Sequence, residues 1–138
     1  MVNTSRMMPG LKVKRKLEDI IDGWGFKVVD QFTAGVQDNI QVWITNFNED
    51  YEPLPLNNKT LNTTLTVELA IFTETNESGV NNLMYDLIDL TPDMFADIVR
   101  INKINPLNTD TTYNTDSSDG HIIGTITLEF NYLFTRGA

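Results

Sequence analysis

The chain has 138 residues, 41% of them hydrophobic and 21% charged, the composition of a single globular domain that can bury about two-thirds of its unfolded surface. The formal net charge of −9 argues against a nucleic-acid binder that works by neutralising phosphates. There is no cysteine, hence no disulfide or thiolate chemistry; no run reaches the roughly 18 apolar residues of a membrane span, and the segment before Lys12 lacks the apolar core of a signal peptide, so a soluble protein made inside the cell is expected.

Residues 1–10 read as a flexible lead, and 11–138 as one domain. In 11–22 (LKVKRKLEDIID), Val13, Leu17, Ile20, Ile21 and Trp24 share one face of a helix. Lys12, Lys14, Arg15 and Lys16 come early and the acids late, against the helix dipole. Gly23 is expected to stop this helix, with Gly25 beyond it. Residues 26–32 (FKVVDQF) suggest a strand, and 40–47 (IQVWITNF) a second, alternating Ile40, Val42 and Ile44 against Gln41, Trp43 and Thr45. The stretch 48–62, with Pro53, Pro55 and paired asparagines, reads as a loop or the tip of an extended arm. Residues 63–73 form a long strand with Leu65, Val67, Leu69 and Ile71 on its core face.

Asn76, Ser78 and Gly79 break the chain, and 81–90 (NNLMYDLIDL) starts a second helix. Thr91-Pro92-Asp93 predicts a cap and a short further helix over 92–99. Residues 101–104 either continue it or make a short strand. The polar stretch 105–120 is expected to be a mobile loop. Residues 122–134 (IIGTITLEFNYLF) alternate strictly and close the chain with a long strand. The fold class is α+β: a mixed or antiparallel sheet of about four strands, with the N-terminal helix and a second helical segment packed on it and a long hairpin arm.

Candidate chemistry is sparse. The one histidine, His121, stands beside Asp119 with no second histidine or cysteine to complete a catalytic or zinc constellation. Asp110, Asp116 and Asp119 could collect a hard cation, but their spacing misses the EF-hand rule. Asp86, Asp89, Asp93 and Asp97 fall roughly along one helical face and read as its wet side. No catalytic residue, cofactor or metal is therefore expected. Trp24 completes the first helix's apolar stripe. Trp43 and Phe72 lie opposite their strands' apolar sets, which suggests either a partner surface or burial under the second helix. Arg6, Lys12, Lys14, Arg15, Lys16 and Lys27 are six of the ten basic residues, an asymmetry that could drive head-to-tail contact between copies.

In this layout the chain resembles the tail terminator proteins of tailed bacteriophages, of the minor tail protein U type. The resemblance covers roughly 11–134. It lies in the helix LKVKRKLEDIIDGW, the arm around Tyr51-Glu52-Pro53, the strand TLTVELAIF, the helix beginning NNLMYDLIDL and the closing strand GTITLEFNYLF. The 105–120 loop and the Pro92 break have no counterpart in it. The resemblance implies a homo-oligomeric ring, commonly a hexamer, in the virion at the head-proximal end of the tail tube. Such a ring ends tube growth, joins the tail to a head-tail connector or stopper protein, and lets DNA pass through its lumen without sequence-specific binding or any membrane partner. Interface residues would come from Lys12, Lys14, Arg15, Lys16, Trp43, Tyr51, Glu52, Pro53, Leu54 and Phe72. Other readings are a different head-tail joining or tail tube protein of the same virion, or a small-ligand binding domain.

Overall fold

The structure is a computed structural model and describes residues 8–30, 40–114 and 121–136. Helix α1 spans Pro9–Gly23, strand β1 Lys27–Val28, β2 Gln41–Leu54, β3 Asn57–Thr73, helix α2 Glu77–Ile88, β4 Ile101–Asn114 and β5 His121–Thr135, with a single 3-10 turn at Pro92–Phe95. The strands make one five-stranded sheet in the order β1-β2-β3-β5-β4, with β1 parallel to β2 and every other pair antiparallel. Two long hairpins, β2–β3 and β4–β5, are thus zipped together along β3 and β5. Both helices pack on one face, giving the expected α+β class.

The register stacks side chains in rows across the helix-covered face: Val42, Ile71 and Gly124; Ile44, Leu69 and Ile126; Phe47, Val67 and Leu128; Glu49, Leu65 and Phe130; Tyr51, Thr63 and Tyr132. A bulge between Ile44 and Asn46 shifts the phase of β2. Beyond it, Phe47, Glu49 and Tyr51 take over the covered face from the even-numbered positions that lead the strand. Val13, Leu17 and Ile21 of α1 and Val80, Leu83, Met84 and Leu87 of α2 close the core from above. Phe95 of the 3-10 turn meets Phe130 edge-on at 5.4 Å. The α2 axis passes over β5 where Gly124 leaves room: a Cβ there would lie 2.9 Å from Val80 Cγ1 and 3.0 Å from Met84 Sδ.

Local chemistry explains several boundaries that differ from expectation. Helix α1 runs through Gly23, and its stop is Gly25, at φ 93°. The Gly25 N–H donates to Asp22 O and the Phe26 N–H to Ile21 O, a Schellman pairing that needs the left-handed residue one position past the cap. Asn76 does not break the chain but caps α2, its Oδ1 accepting from the Gly79 N–H at 2.9 Å. Ser78 and Gly79 are helical. The segment after Thr91 is one 3-10 turn with no side-chain cap.

The largest correction concerns 105–120, expected to be a mobile loop. Residues 105–114 belong to β4, paired with β5 as far as Asn114↔His121; 115–120 lie outside the described residues. An edge strand beyond the helices can be polar on both faces, so it carries no hydrophobic alternation to reveal it. Pro106, which suggested a loop, sits on the outermost strand at a register shift, where a missing N–H is tolerated. The stretch 48–62 is likewise continuous hairpin, turned by Pro55-Leu56. Of the strand expected over 26–32, only Lys27–Val28 pairs, and residues 31–39 lie outside the described residues.

Candidate assembly interfaces

Among the described residues two strand edges are open. Among the described residues β1 pairs with Gln41 and Val42, and from Ile44 to Leu54 the outer side of β2 has no partner strand there. The outer side of β4 has none either. Since β2, β3, β5 and β4 alternate in direction, β4 runs antiparallel to β2. An open backbone edge presents unpaired N–H and C=O groups, which makes it a template for another strand.

The helix-free face of the sheet lies between these edges, and it is wet. Its rows read Asn46, Glu68, Thr127 and Asn108; Asn48, Thr66, Glu129 and Asn105; Asp50, Thr64, Asn131 and Lys103. Side chains cross-link the strands: Asn131 Nδ2 donates to Asn62 Oδ1 at 2.8 Å, Asn102 Nδ2 to Asn131 Oδ1 at 3.3 Å, and Thr45 Oγ1 to Glu68 Oε1 at 2.8 Å. With Glu52 and Asp110 the face carries five carboxylates, against Lys27 and Lys103. Its apolar groups gather at the β1 end, around Trp43, Ala70, Phe72 and Ile123, with Leu133 exposed toward the arm. Trp43 is half-buried. Phe72 is buried, its ring 5.4 Å from that of His121. Helix α2 lies on the opposite face, so it does not bury Phe72.

The basic face of α1 is partly engaged within the chain. Lys14 pairs with Glu18 at 3.7 Å, and Lys16 pairs with Asp97 at 2.9 Å. The Lys16 hydrogen bond holds the Asp97 carboxyl below its ordinary range. Lys12 and Arg15 make no ion pair among the described residues, and Arg15 is exposed. The aspartates Asp86, Asp89, Asp93 and Asp97 do not share one helical face: they stand on α2, its C-cap, the 3-10 turn and the turn after it, all exposed. Of the three aspartates considered for a cation, only Asp110 lies among the described residues, where no acidic, histidine or cysteine cluster could hold a metal.

The arm carries Tyr51, Glu52, Pro53 and Leu54 and ends at Leu56, which is fully exposed. At its base stands a group that periodicity did not indicate. Tyr132, wholly buried, donates from Oη to Glu49 Oε2 at 2.7 Å. That carboxylate also lies against Gly10, where any Cβ would collide with it. Helix α1 has no acid in its first turn and no side-chain cap at Met8. A carboxylate from β2 therefore stands where the helix dipole favours one. Burial first, then the bond to Glu49 and its charge, drive the Tyr132 phenol far above its ordinary pKa. Tyr51, which meets Phe134 edge-on at 6.4 Å, is raised by burial first and then by Glu49. Glu49 lies in the stretch 48–62 that reads in sequence as a loop or arm tip, and the bulge after Ile44 turns it to the covered face.

A groove of about 280 Å³ runs between α2 and the end of β4, lined by Glu77, Val80, Asn81, Met84, Thr111 and Tyr113. A hydrogen bond to Glu77, with burial and charge adding to it, raises the Tyr113 pKa.

No protein-family profile matches the sequence, and no curated protein sequence matches it. Among solved structures, a chain from the virion of a native gene transfer agent (GTA) particle is similar at 10% identity and a TM-score of 0.49, covering 86% of this chain and 90% of that one. Likeness of this degree fixes neither a shared ancestor nor a shared role. No helix of the described residues is long and apolar enough to cross a membrane.

Proposed function

We propose that this chain is a non-catalytic structural protein of a phage-type virion. It forms a closed ring, six-membered in the tail-terminator resemblance, at the head-proximal end of the tail tube. One observation carries the reading: a sheet with two open, mutually antiparallel edges and a hydrophilic, anionic face between them. The β4 edge of one copy meets the β2 edge of the next head to tail, and a rotation that closes gives a ring. The helices face outward and the carboxylate-bearing face lines the lumen. Such a lining repels phosphate, so DNA slides through without sticking. The hairpin arm, with Tyr51, Glu52, Pro53 and Leu54, reaches the tail tube protein on one side or the connector or stopper on the other.

The direct test is electron microscopy of the purified protein, alone and mixed with tail tubes. Rings that bind one tube end and halt its growth are expected. Stacked rings would assign the chain to the tube itself. Deleting its gene should leave unjoined heads and tails of abnormal length. Normal tails on filled heads would overturn the terminator role.

A further inference from the structure

The sheet registers place the charges of the two outer strands at matching heights. On the helix-free face, Asp50 of β2 is level with Thr64, Asn131 and Lys103 of β4. Two residues further along β2, Glu52 is level with Asn62 and Leu133. β4 begins at Ile101, opposite Tyr132, and Arg100 just before it shares a hollow with Val99, Asn102 and Leu133. Arg100 therefore stands at the height of Glu52, as Lys103 stands at the height of Asp50. In sequence the two cations are three residues apart and the two acids only two. The register shift between Ile101 and Lys103 absorbs the difference; along an unbroken strand, residues three apart would point to opposite faces. All four side chains are exposed, and none makes an ion pair among the described residues. Asp50 Oδ2 accepts from Asn48 Nδ2 at 3.0 Å, which engages one of its two oxygens. Asp93 lines a second hollow with Arg100 but does not pair with it. The charges are also segregated by strand. Gln41–Leu54 holds three acids and no lysine or arginine, and between residues 60 and 135 Arg100 and Lys103 are the only lysine or arginine.

We propose that these four groups key the seam between copies: Arg100 and Lys103 of one copy pair with Glu52 and Asp50 of the next, and so fix the register of its β2 edge against β4. The inference rests on the head-to-tail ring and names what sets its register. Within one copy β4 runs antiparallel to β2, so a neighbour in the same orientation brings its β2 alongside β4 in that same sense. With no offset along the strands, both acids then meet both cations at the arm end of the seam. A slip of one residue turns one set of charges to the opposite face. A slip of two residues keeps at most one pair, and a larger slip keeps neither. Charges placed in this way select the partner and its register more than they add affinity.

The test is sedimentation equilibrium at low and high salt on four proteins: the natural chain, Asp50→Lys/Glu52→Lys, Arg100→Glu/Lys103→Glu, and the chain with all four substitutions, which keeps the natural net charge. The four side chains are exposed, so thermal melting should show every protein folded. Either double variant should associate at least tenfold more weakly than the natural chain, because each sets like charges against each other at the seam. The fourfold variant should recover the natural association, and salt should weaken it. Rings that form equally well in all four proteins would overturn the charge pairing and leave the ring reading standing. Weak association of the fourfold variant, with both double variants also weak, would show that the two sets do not face each other and would likewise overturn the pairing. The expected charge pattern with association that stops at dimers would support the pairing and refute the ring. A natural chain that stays monomeric at high concentration and low salt would overturn both.

Discussion

The Glu49–Tyr132 contact should be a strong polar interaction holding the arm to the body, and removing one oxygen tests it. Tyr132→Phe keeps the ring that fills the core row beside Thr63 and Tyr51, and deletes only the donor 2.7 Å from Glu49. A hydrogen bond to a charged group contributes about 1.5–3 kcal/mol. Glu49 is half-buried, so water takes over part of the lost bond, and about 1–2 kcal/mol of destabilisation is expected. Glu49→Gln should cost a similar amount, because it also removes charge from the α1 N-terminus. The double variant should fall short of the sum by roughly 1 kcal/mol, measured by urea unfolding of all four corners of the cycle. Additivity within about 0.3 kcal/mol would refute the coupling. A pH signature accompanies it. The Tyr132 phenol is raised in the folded state, so its stabilisation is complete below the unfolded tyrosine value of about 10 and is lost as pH rises above it. The natural chain should lose up to about 1.4 kcal/mol per pH unit there on account of this residue, and Tyr132→Phe should show a shallower alkaline slope.

Two further substitutions probe the frame. Leu69 is wholly buried in the central strand; Leu69→Ala should cost about 2–5 kcal/mol, and Leu69→Asp should unfold the domain, so a folded, soluble Leu69→Asp protein would contradict the core assignment. Asn76→Ala removes the α2 cap bond and should cost about 1 kcal/mol; calorimetry showing no change would mean the cap is satisfied by other groups.

The sequence declares the inner elements because burial there is one-sided and regular. In residues 63–69 and 124–134 one face meets the helices and the other is mostly wet, so the period-two pattern is clean. The α1 stripe of Val13, Leu17 and Ile21 is legible for the same reason. The pattern fails where that condition fails. Along β4, Asn105, Asn108 and Asp110 are exposed, and a strand wet on both faces leaves only a weak propensity signal in its threonines and tyrosine. On β2 the bulge at Thr45 exchanges the faces, which is why Glu49 could not be assigned to the interior by counting. Of the residues expected at an interface, Lys14 and Lys16 make ion pairs within the chain, and Phe72 is buried. Tyr51 and the arm-tip residue Leu56 are exposed.

Open edges this long need an account, since an unguarded edge invites indiscriminate pairing. Both are guarded. β2 has its bulge after Ile44 and Pro53 near its tip; β4 has register shifts after Ile101 and Pro106, with Pro106 itself in the strand. Each interruption removes a donor or throws the ladder out of phase, so a continuous partner strand cannot lie along the whole edge. What remains are two short uninterrupted runs, from Asn46 to Glu52 on β2 and from Asn108 to Asn114 on β4. Their side chains are mostly polar, so hydrophobic capture contributes little and backbone register becomes the main determinant of fit. An edge that pairs only over a short run, with a partner of matching direction, suits a ring whose members must find one neighbour on each side and then stop. It suits an amyloid-like stack poorly, because stacking rewards long, flat, apolar edges.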